Sequence, residues 1–206
     1  MRIVEPSAEL VWCTPEAERI IEEAGRTCYK SEDAITDISA PKFIEMIIQR
    51  GHESVLEHAS ASFRIITDRG ITHEIVRHRI ASYSQESTRY CNYGKEKFGK
   101  EITVIQPSGI ADQTEQYVLW SSAMRACERA YFNLIDAEIA PQFARSVLPI
   151  CLKTEIIMTC NFREWRHFLK LRLAKAAHPD IQVIAKQIWE QLLEEAPTVF
   201  LWDNVQ

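Results

Sequence analysis

Residues 77–90 read RHRIASYSQESTRY and hold three arginines and a histidine among four small hydroxyl side chains. Arginine presents a planar, permanently charged fork that fits phosphate and carboxylate oxygens, and hydroxyl groups add neutral donors beside it. A charged cluster is more often a solvated helix end followed by a polar loop. The hydroxyl-rich continuation and a second cationic segment downstream favour an anion-binding site.

Composition limits the class of ligand. The chain has 206 residues, which suits one domain with a substantial core, and its formal net charge of -5 argues against a general nucleic-acid binder. Positive charge is local, since residues 71–100 contain six Lys and Arg against three acids and residues 161–179 contain five against one. Such patches fit a small anionic ligand better than a polymer.

The six cysteines form no Cys-x-x-Cys pair and have no zinc spacing with histidine, so we expect reduced thiols. The first residues lack the apolar run of a secretion signal, and no uncharged stretch has the length of a membrane helix. These features predict a soluble, cytoplasmic protein.

The order of helical and strand periodicities predicts the fold class. The predicted elements are helices over residues 15–28 and 41–51, a strand over 59–65, a helix over 71–79, a loop over 82–88, a strand over 102–105, a helix over 112–140, a strand over 152–158, a helix over 161–177 and a last helix from 179. Helices and strands mix without regular β-α-β alternation, so we predict an α+β fold. We expect a single domain over residues 1–206, with helices around a small, mainly antiparallel sheet.

Residues 52–58 contain two histidines and two glutamates. Histidine and glutamate at close spacing can bind zinc, but this segment is not His-Glu-x-x-His, and no further His or Cys follows at a fitting distance. A polar loop that caps a helix or touches a ligand is the alternative. We therefore predict no metal site.

The helix predicted over residues 161–177 carries the second cationic segment. Arg172 falls within its apolar stripe, which consists of Phe162, Trp165, Leu169 and Ala176. An arginine in that position is costly unless an anion or an acid meets it, although its head can also reach the surface. The opposite side carries Arg163, His167 and Lys170.

Only six glycines are present, and no Gly-x-Gly-x-x-Gly or Walker loop exists. If the protein binds nucleotides, arginine, histidine and hydroxyl side chains must hold the phosphates.

These residues resemble the flavin-dependent thymidylate synthase family. The family signature is Arg-His-Arg followed after seven residues by Ser, as in Arg77-His78-Arg79 and Ser87, continuing to Arg89-Tyr90. The resemblance extends over nearly the whole chain. Further matching segments are His52-Glu53-Ser54 with Glu57-His58, Arg145 before Val147-Leu148-Pro149, Asn161-Phe162-Arg163, His167 and Leu171-Arg172.

The resemblance implies a methyltransferase that converts dUMP into dTMP in nucleotide biosynthesis. The one-carbon unit comes from methylenetetrahydrofolate, and FAD reduced by NADPH supplies the hydride. Members of the family are homotetramers whose active sites lie between subunits, and they act on neither nucleic acid nor membranes.

The resemblance also assigns residues to ligands. The implied FAD contacts are Ser54 from a neighbouring subunit, Arg77, His78, Arg79, Gln85, Asn161, Phe162, Arg163 and His167. The implied dUMP contacts are Glu74, Arg77, Gln85, Glu86, Ser87, Thr88, Arg89, Arg145 and Arg172, with Arg172 as the catalytic residue. An arginine against the uracil edge can stabilise developing negative charge there.

The chain departs from the family pattern at Ser84-Gln85, where Asn-Glu is common, and at Glu74, where Gln is common. Ser87 is a candidate nucleophile, but no His-Asp pair that would activate it is visible, and the resemblance makes it a substrate contact. Three alternatives stay open: a flavin- or nucleotide-binding oxidoreductase without methyl transfer, an inactive homologue, and a nucleic-acid-binding module, which should show an extended basic face with interleaved aromatics.

Overall fold

The computed structural model describes residues 1–205, without the side chains at positions 202 and 204. The strands are β1 (Arg2–Val4), β2 (Ser7–Cys13), β3 (Ser60–Asp68), β4 (Ser82–Gln85), β5 (Thr103–Ile105) and β6 (Lys153–Asn161). The helices are α1 (Ala17–Tyr29), α2 (Ala40–Gln49), α3 (Arg69–Ile75), α4 (Glu115–Asp136), α5 (Pro141–Ala144), α6 (Phe162–Arg172), α7 (Pro179–Glu195), α8 (Pro197–Phe200) and α9 (Trp202–Val205).

One sheet has the strand order β2-β3-β6-β4, and β1 pairs with β5 in a separate parallel pair. The predicted α+β class with a small antiparallel sheet and many helices is confirmed. All six cysteines are free thiols, as expected. Within residues 1–205, no helix has both the length and the apolar composition needed to cross a membrane.

The chain forms two compact units. The first consists of Met1–Ser7, Ile66–Val76 and Ser84–Ile156, and the second consists of Ala8–Ile65, Arg77–Tyr83 and the described chain from Ile157 onward. The single domain over residues 1–206 stays a prediction.

The core of the second unit forms around α6 and α7. Trp165 is fully buried, packs edge-on against Phe63 and Phe168, and donates its indole N–H to the carbonyl of Ala61 at 3.1 Å. The predicted apolar stripe of α7 is confirmed, because its members are fully buried: Ile181, Ile184, Ile188 and Leu192. These contacts fix which face of α6 points away from the core.

The core of the first unit lies around Tyr131, the only residue of α4 that is fully enclosed. Its hydroxyl accepts a hydrogen bond from the backbone N–H of Tyr93 at 3.3 Å, and the two rings pack 5.9 Å apart. Val104 and Leu152 belong to the same apolar cluster. Through Tyr93 the cluster holds the chain that follows Glu86.

The prediction of a helix over residues 71–79 is wrong in its bounds. Asp68 caps α3 by accepting the N–H of Ile71 at 2.8 Å, and the helix ends at Ile75. Its β-branched residues propagate a helix poorly, so the arginines of the signature lie in the non-helical chain that follows.

The loop predicted over residues 82–88 is also corrected, because residues 82–85 form β4. Hydroxyl-rich sequence disfavours a helix but not a strand, and β4 lies beside β6 in the sheet. The Gln85 amide further donates to Thr72 at 3.1 Å and to Thr154 at 3.2 Å. Tertiary contacts therefore decide this segment.

Two further corrections concern helix ends. Helix α6 ends at Arg172 rather than at 177, and His178 is extended before Pro179, so Ala176 is exposed and lies outside the apolar stripe. Helix α7 is not the last, since α8 and α9 follow it. The long helix predicted over 112–140 is confirmed in its central part, with Thr114 as its cap.

Candidate active site

A cavity of about 770 Å³ lies in the second unit, within the range of small-molecule sites. Helix α6 contributes basic side chains to its wall, and four acids line the same space. The basic residues are Arg163, Arg166, His167 and Lys170, and the acids are Glu53, Glu57, Glu164 and Asp203. We call this space the α6 cavity.

Packing explains why α6 presents cations there. Phe162 and Trp165 are fully buried, so residues at the complementary helical positions must face away from the core. Arg163, His167 and Lys170 are exposed, as their predicted polar stripe requires. Asn161 caps the helix by accepting the N–H of Glu164 at 2.9 Å.

The segment with two histidines and two glutamates forms a 3₁₀ helix, Glu53–His58, instead of a loop. Glu57 accepts a hydrogen bond from Arg163 at 2.6 Å, which raises the pKa of that guanidinium. Glu53 lies 3.2 Å from Arg166, whose pKa is lowered by burial and raised in part by this acid. The glutamates therefore balance arginine charge.

His78 occupies the centre of a second polar group in this unit. Its Nδ1 lies 3.2 Å from a carboxylate oxygen of Glu164, and its Nε2 accepts the Nε–H of Arg172 at 3.1 Å. The Tyr83 hydroxyl donates to the His78 carbonyl at 2.6 Å, and the Phe168 ring packs 4.9 Å from the imidazole. Both ring nitrogens are used by the protein.

Burial, together with the nearby Arg172 and His167, lowers the pKa of His78 to about 4. The imidazole is therefore neutral at pH 7, and its contact with Glu164 is a hydrogen bond to a carboxylate rather than an ion pair. Burial raises the pKa of Glu164, which the nearby His167 opposes.

Possible metal ligands of His78, Glu164 and His167 lie within 4.8 Å of one another. Arg172 already donates to His78, and Lys170 extends from the same helix, so positive charge lies beside these ligands. A cation is disfavoured there by charge repulsion. The absence of a metal site stays a prediction.

In the first unit, Glu86 is held at four points. Its carboxylate accepts from the Tyr93 hydroxyl at 2.8 Å and from Lys153 at 3.0 Å. Its carbonyl accepts from Arg69 at 2.7 Å, and its N–H donates to the carbonyl of Glu155 at 2.8 Å. A dUMP contact by the Glu86 carboxylate stays a prediction, since these partners also explain its position.

The residues after Glu86 bring hydroxyl and guanidinium groups together. Arg145 donates to the Thr88 hydroxyl at 3.3 Å, and Arg89 donates to Gln142 at 3.3 Å. Ser87 accepts the N–H of Arg89 at 3.3 Å. This arrangement offers several donors to an oxyanion.

The other predicted contacts are placed as follows. Ser54, Arg77 and Arg79 are exposed, Glu74 is half-buried, and Gln85 bonds to the two threonines described above. The Phe162 ring lies in the core, 5.0 Å from Phe200, so only its backbone can meet a ligand.

Sequence reasoning missed Glu164, Arg166 and Lys153. The signal for Glu164 was present, because it is the one acid in the cationic segment 161–179. Its contact with His78 spans 86 positions and has no signal in one sequence.

The fold and these groups define a class, an α+β protein in which arginine, histidine and hydroxyl side chains cluster. Residues 9–198 match the family described as thymidylate synthase complementing protein. A flavin-dependent thymidylate synthase of Geobacter sulfurreducens is 36% identical over 194 residues, covering 91% of this chain and 82% of the relative. The enzyme of the same name from Mycolicibacterium vanbaalenii is 38% identical over 199 residues, covering 88% and 77%.

A solved structure is also similar. It is the UMP/dUMP methylase PolB of Streptomyces cacaoi bound with 5-Br dUMP, with a TM-score of 0.82, 25% identity, and coverage of 97% of this chain and 95% of that chain. The chain therefore belongs to the flavin-dependent thymidylate synthase family.

Proposed function

We propose that the protein is a flavin-dependent thymidylate synthase, which methylates dUMP to dTMP with a one-carbon unit from methylenetetrahydrofolate. The observation that carries this proposal is 36–38% identity over most of the chain to enzymes of that name. When bound, FAD supplies the hydride that completes the methyl group and is reduced again by NADPH.

We assign FAD to the α6 cavity on the chemistry of its donors. The chain has no glycine-rich phosphate loop, and the exposed Arg163, His167 and Lys170 offer the side-chain donors that phosphates then need. Asn161 and the exposed Arg77 and Arg79 belong to the same proposal. Because both ring nitrogens of His78 already form hydrogen bonds within the protein, any flavin contact at this residue is with the face of the imidazole.

The nucleotide phosphate is assigned to the first unit, where Arg145 and Thr88 lie within hydrogen-bonding distance and Ser87 and Arg89 are neighbours. Guanidinium and hydroxyl donors are the groups that bind phosphate without a glycine-rich loop. Arg172 is assigned to the uracil ring in the proposed homotetramer, where different subunits contribute residues to one active site. A guanidinium there stabilises negative charge on the ring, and that charge makes C5 nucleophilic.

The proposal also covers assembly and location. We infer a homotetramer with shared active sites, acting in the cytoplasm on small molecules, with neither nucleic acid nor a membrane as partner. The local character of the cationic patches on a chain of net charge -5 supports this view.

Two measurements test the function. The purified protein should show a flavin absorption band or bind added FAD, and it should oxidise the reduced flavin in a dUMP-dependent reaction with methylenetetrahydrofolate. Absence of flavin binding would contradict the proposal and favour the nucleic-acid-binding alternative. Flavin turnover that is independent of dUMP and yields no dTMP would favour the oxidoreductase alternative.

A further inference from the structure

Glu164, His78 and Arg172 form a continuous chain of hydrogen bonds in the second unit. Building on the proposed function, we propose that Glu164 and His78 are positioning residues for Arg172, and that this carboxylate–imidazole–guanidinium chain sets the direction in which the guanidinium meets the pyrimidine.

The Nε–H of Arg172 decides which ring nitrogen of His78 donates and which accepts. The Nε–H of Arg172 can only donate, so the His78 Nε2 that it meets at 3.1 Å must be an acceptor. The single proton of the neutral imidazole is then on Nδ1 and is donated to Glu164 at 3.2 Å. Glu164 therefore selects the tautomer that Arg172 needs.

His78 is a rigid centre for this chain. Its side chain is only 2% exposed, Phe168 packs against its ring, and Tyr83 fixes its backbone carbonyl. Glu164 and Arg172 are both on α6, eight positions or about 12 Å of helix apart, and His78 bridges them. The bridge holds the last residue of α6, whose long side chain otherwise has many rotamers.

Charge supports the same roles. A protonated imidazole would repel Arg172 and would place a second donor against its Nε–H, and the low pKa of about 4 keeps His78 neutral in the physiological range. The Glu164 carboxylate polarises the imidazole through Nδ1, which makes Nε2 a stronger acceptor. Glu164 thus acts on the guanidinium without touching it.

A double-mutant cycle on dUMP-dependent turnover tests the inference, with Glu164→Ala, Arg172→Ala and the double variant. Glu164→Ala should lower kcat about tenfold to a hundredfold, and in the Arg172→Ala background it should lower it no further. Glu164→Gln keeps an acceptor for Nδ1 and should stay within about threefold of the wild type. Glu190→Ala removes an exposed glutamate of α7 as a control and should leave kcat unchanged.

Independent losses in the double variant would overturn the inference, because a merely structural glutamate would add its effect to that of Arg172. So would a Glu164→Ala variant that turns over normally.

A readout without turnover separates this inference from the proposed function. In ¹⁵N spectra of histidine-labelled protein, assigned with His78→Phe, His78 should carry its proton on Nδ1, and its Nε2 signal should shift in Arg172→Ala. A proton on Nε2 in the wild type would refute the chain of hydrogen bonds even if Glu164→Ala failed to fold. An inactive wild type with the expected His78 signals would refute the proposed function but leave that chain intact.

Discussion

At the scale of single residues, Arg172 is both the proposed catalytic group and a partly buried charge. It is half-buried and donates to His78, so its removal costs about 1 kcal/mol of hydrogen bonding while relieving a partly desolvated charge. Arg172→Ala should therefore keep its fold and flavin but lose at least about a hundredfold in dUMP-dependent turnover. Turnover and melting temperature measured together check this.

Arg172→Lys serves as the matched variant. A single ammonium cannot reproduce the guanidinium fork or its Nε–H, so it should recover little turnover. Near-normal rates in Arg172→Ala would reject the catalytic role.

His78 predicts a pH dependence of stability. Its pKa is about 4 in the folded protein and near 6.5 when unfolded, so between these values the unfolded state binds a proton that the native state does not. The free energy of unfolding should fall by about 3 kcal/mol as pH drops from 6.5 to 4. Above pH 6.5 the imidazole is neutral in both states, so the protein keeps its full stability there. The raised pKa of Glu164 acts in the opposite direction.

Denaturant titrations of the wild type and His78→Phe across this pH range isolate the His78 contribution. The variant should show a flatter profile between pH 6.5 and 4. Parallel profiles would show that His78 titrates normally.

Ser87 distinguishes substrate binding from covalent catalysis. Its hydroxyl contacts a backbone N–H, and no base is placed against it by the contacts described, so Ser87→Ala should cost a few-fold to about a hundredfold in rate. Steady-state kinetics with dUMP measures this. Complete loss of turnover with intact dUMP binding would support a nucleophile.

At the scale of elements, Gly25 sets how closely α1 approaches α2. A Cβ at Gly25 would lie 2.5 Å from ring atoms of the buried Phe43. Overpacking costs about 1–3 kcal/mol, which exceeds the gain of up to about 1 kcal/mol from alanine in a helix. Gly25→Ala should therefore lower the melting temperature.

Gly109→Ala is the control for Gly25, because a Cβ at Gly109 meets nothing within 4 Å. It should be neutral or slightly stabilising. Equal melting temperatures for the two variants would contradict the steric argument.

Helices with strong apolar periodicity were predictable from sequence, and α7 is the clearest case, since all four stripe residues are fully buried. The structure of residues 77–90 was not predictable in this way. Strand β4 depends on a neighbouring strand, and α3 ends among residues without a strong stop signal. The cationic face of α6 was predicted from spacing alone. Its acidic partners come from the 3₁₀ helix Glu53–His58, and such long-range contacts leave no periodic trace.

At the scale of the whole molecule, the proposed homotetramer is the principal expectation. Predicted FAD contacts such as Ser54, Arg77 and Arg79 are exposed in the chain taken by itself, which fits sites completed by other subunits. Light scattering coupled to size-exclusion chromatography should give four times the mass of the chain. A monomer with full activity would exclude the shared site.

The four hydrogen-bonding contacts of Glu86 predict slow hydrogen exchange at its backbone amide. Its amide donates to Glu155 while its carbonyl and carboxylate are both bonded, so opening this position breaks several contacts together. The Glu86 amide should exchange slowly before any ligand is added, and dUMP should slow it little further. Arg79 and Ile80 are exposed and lie outside regular secondary structure, so added FAD should slow exchange more there. On the proposed assignment, binding of FAD then costs more ordering free energy than binding of dUMP.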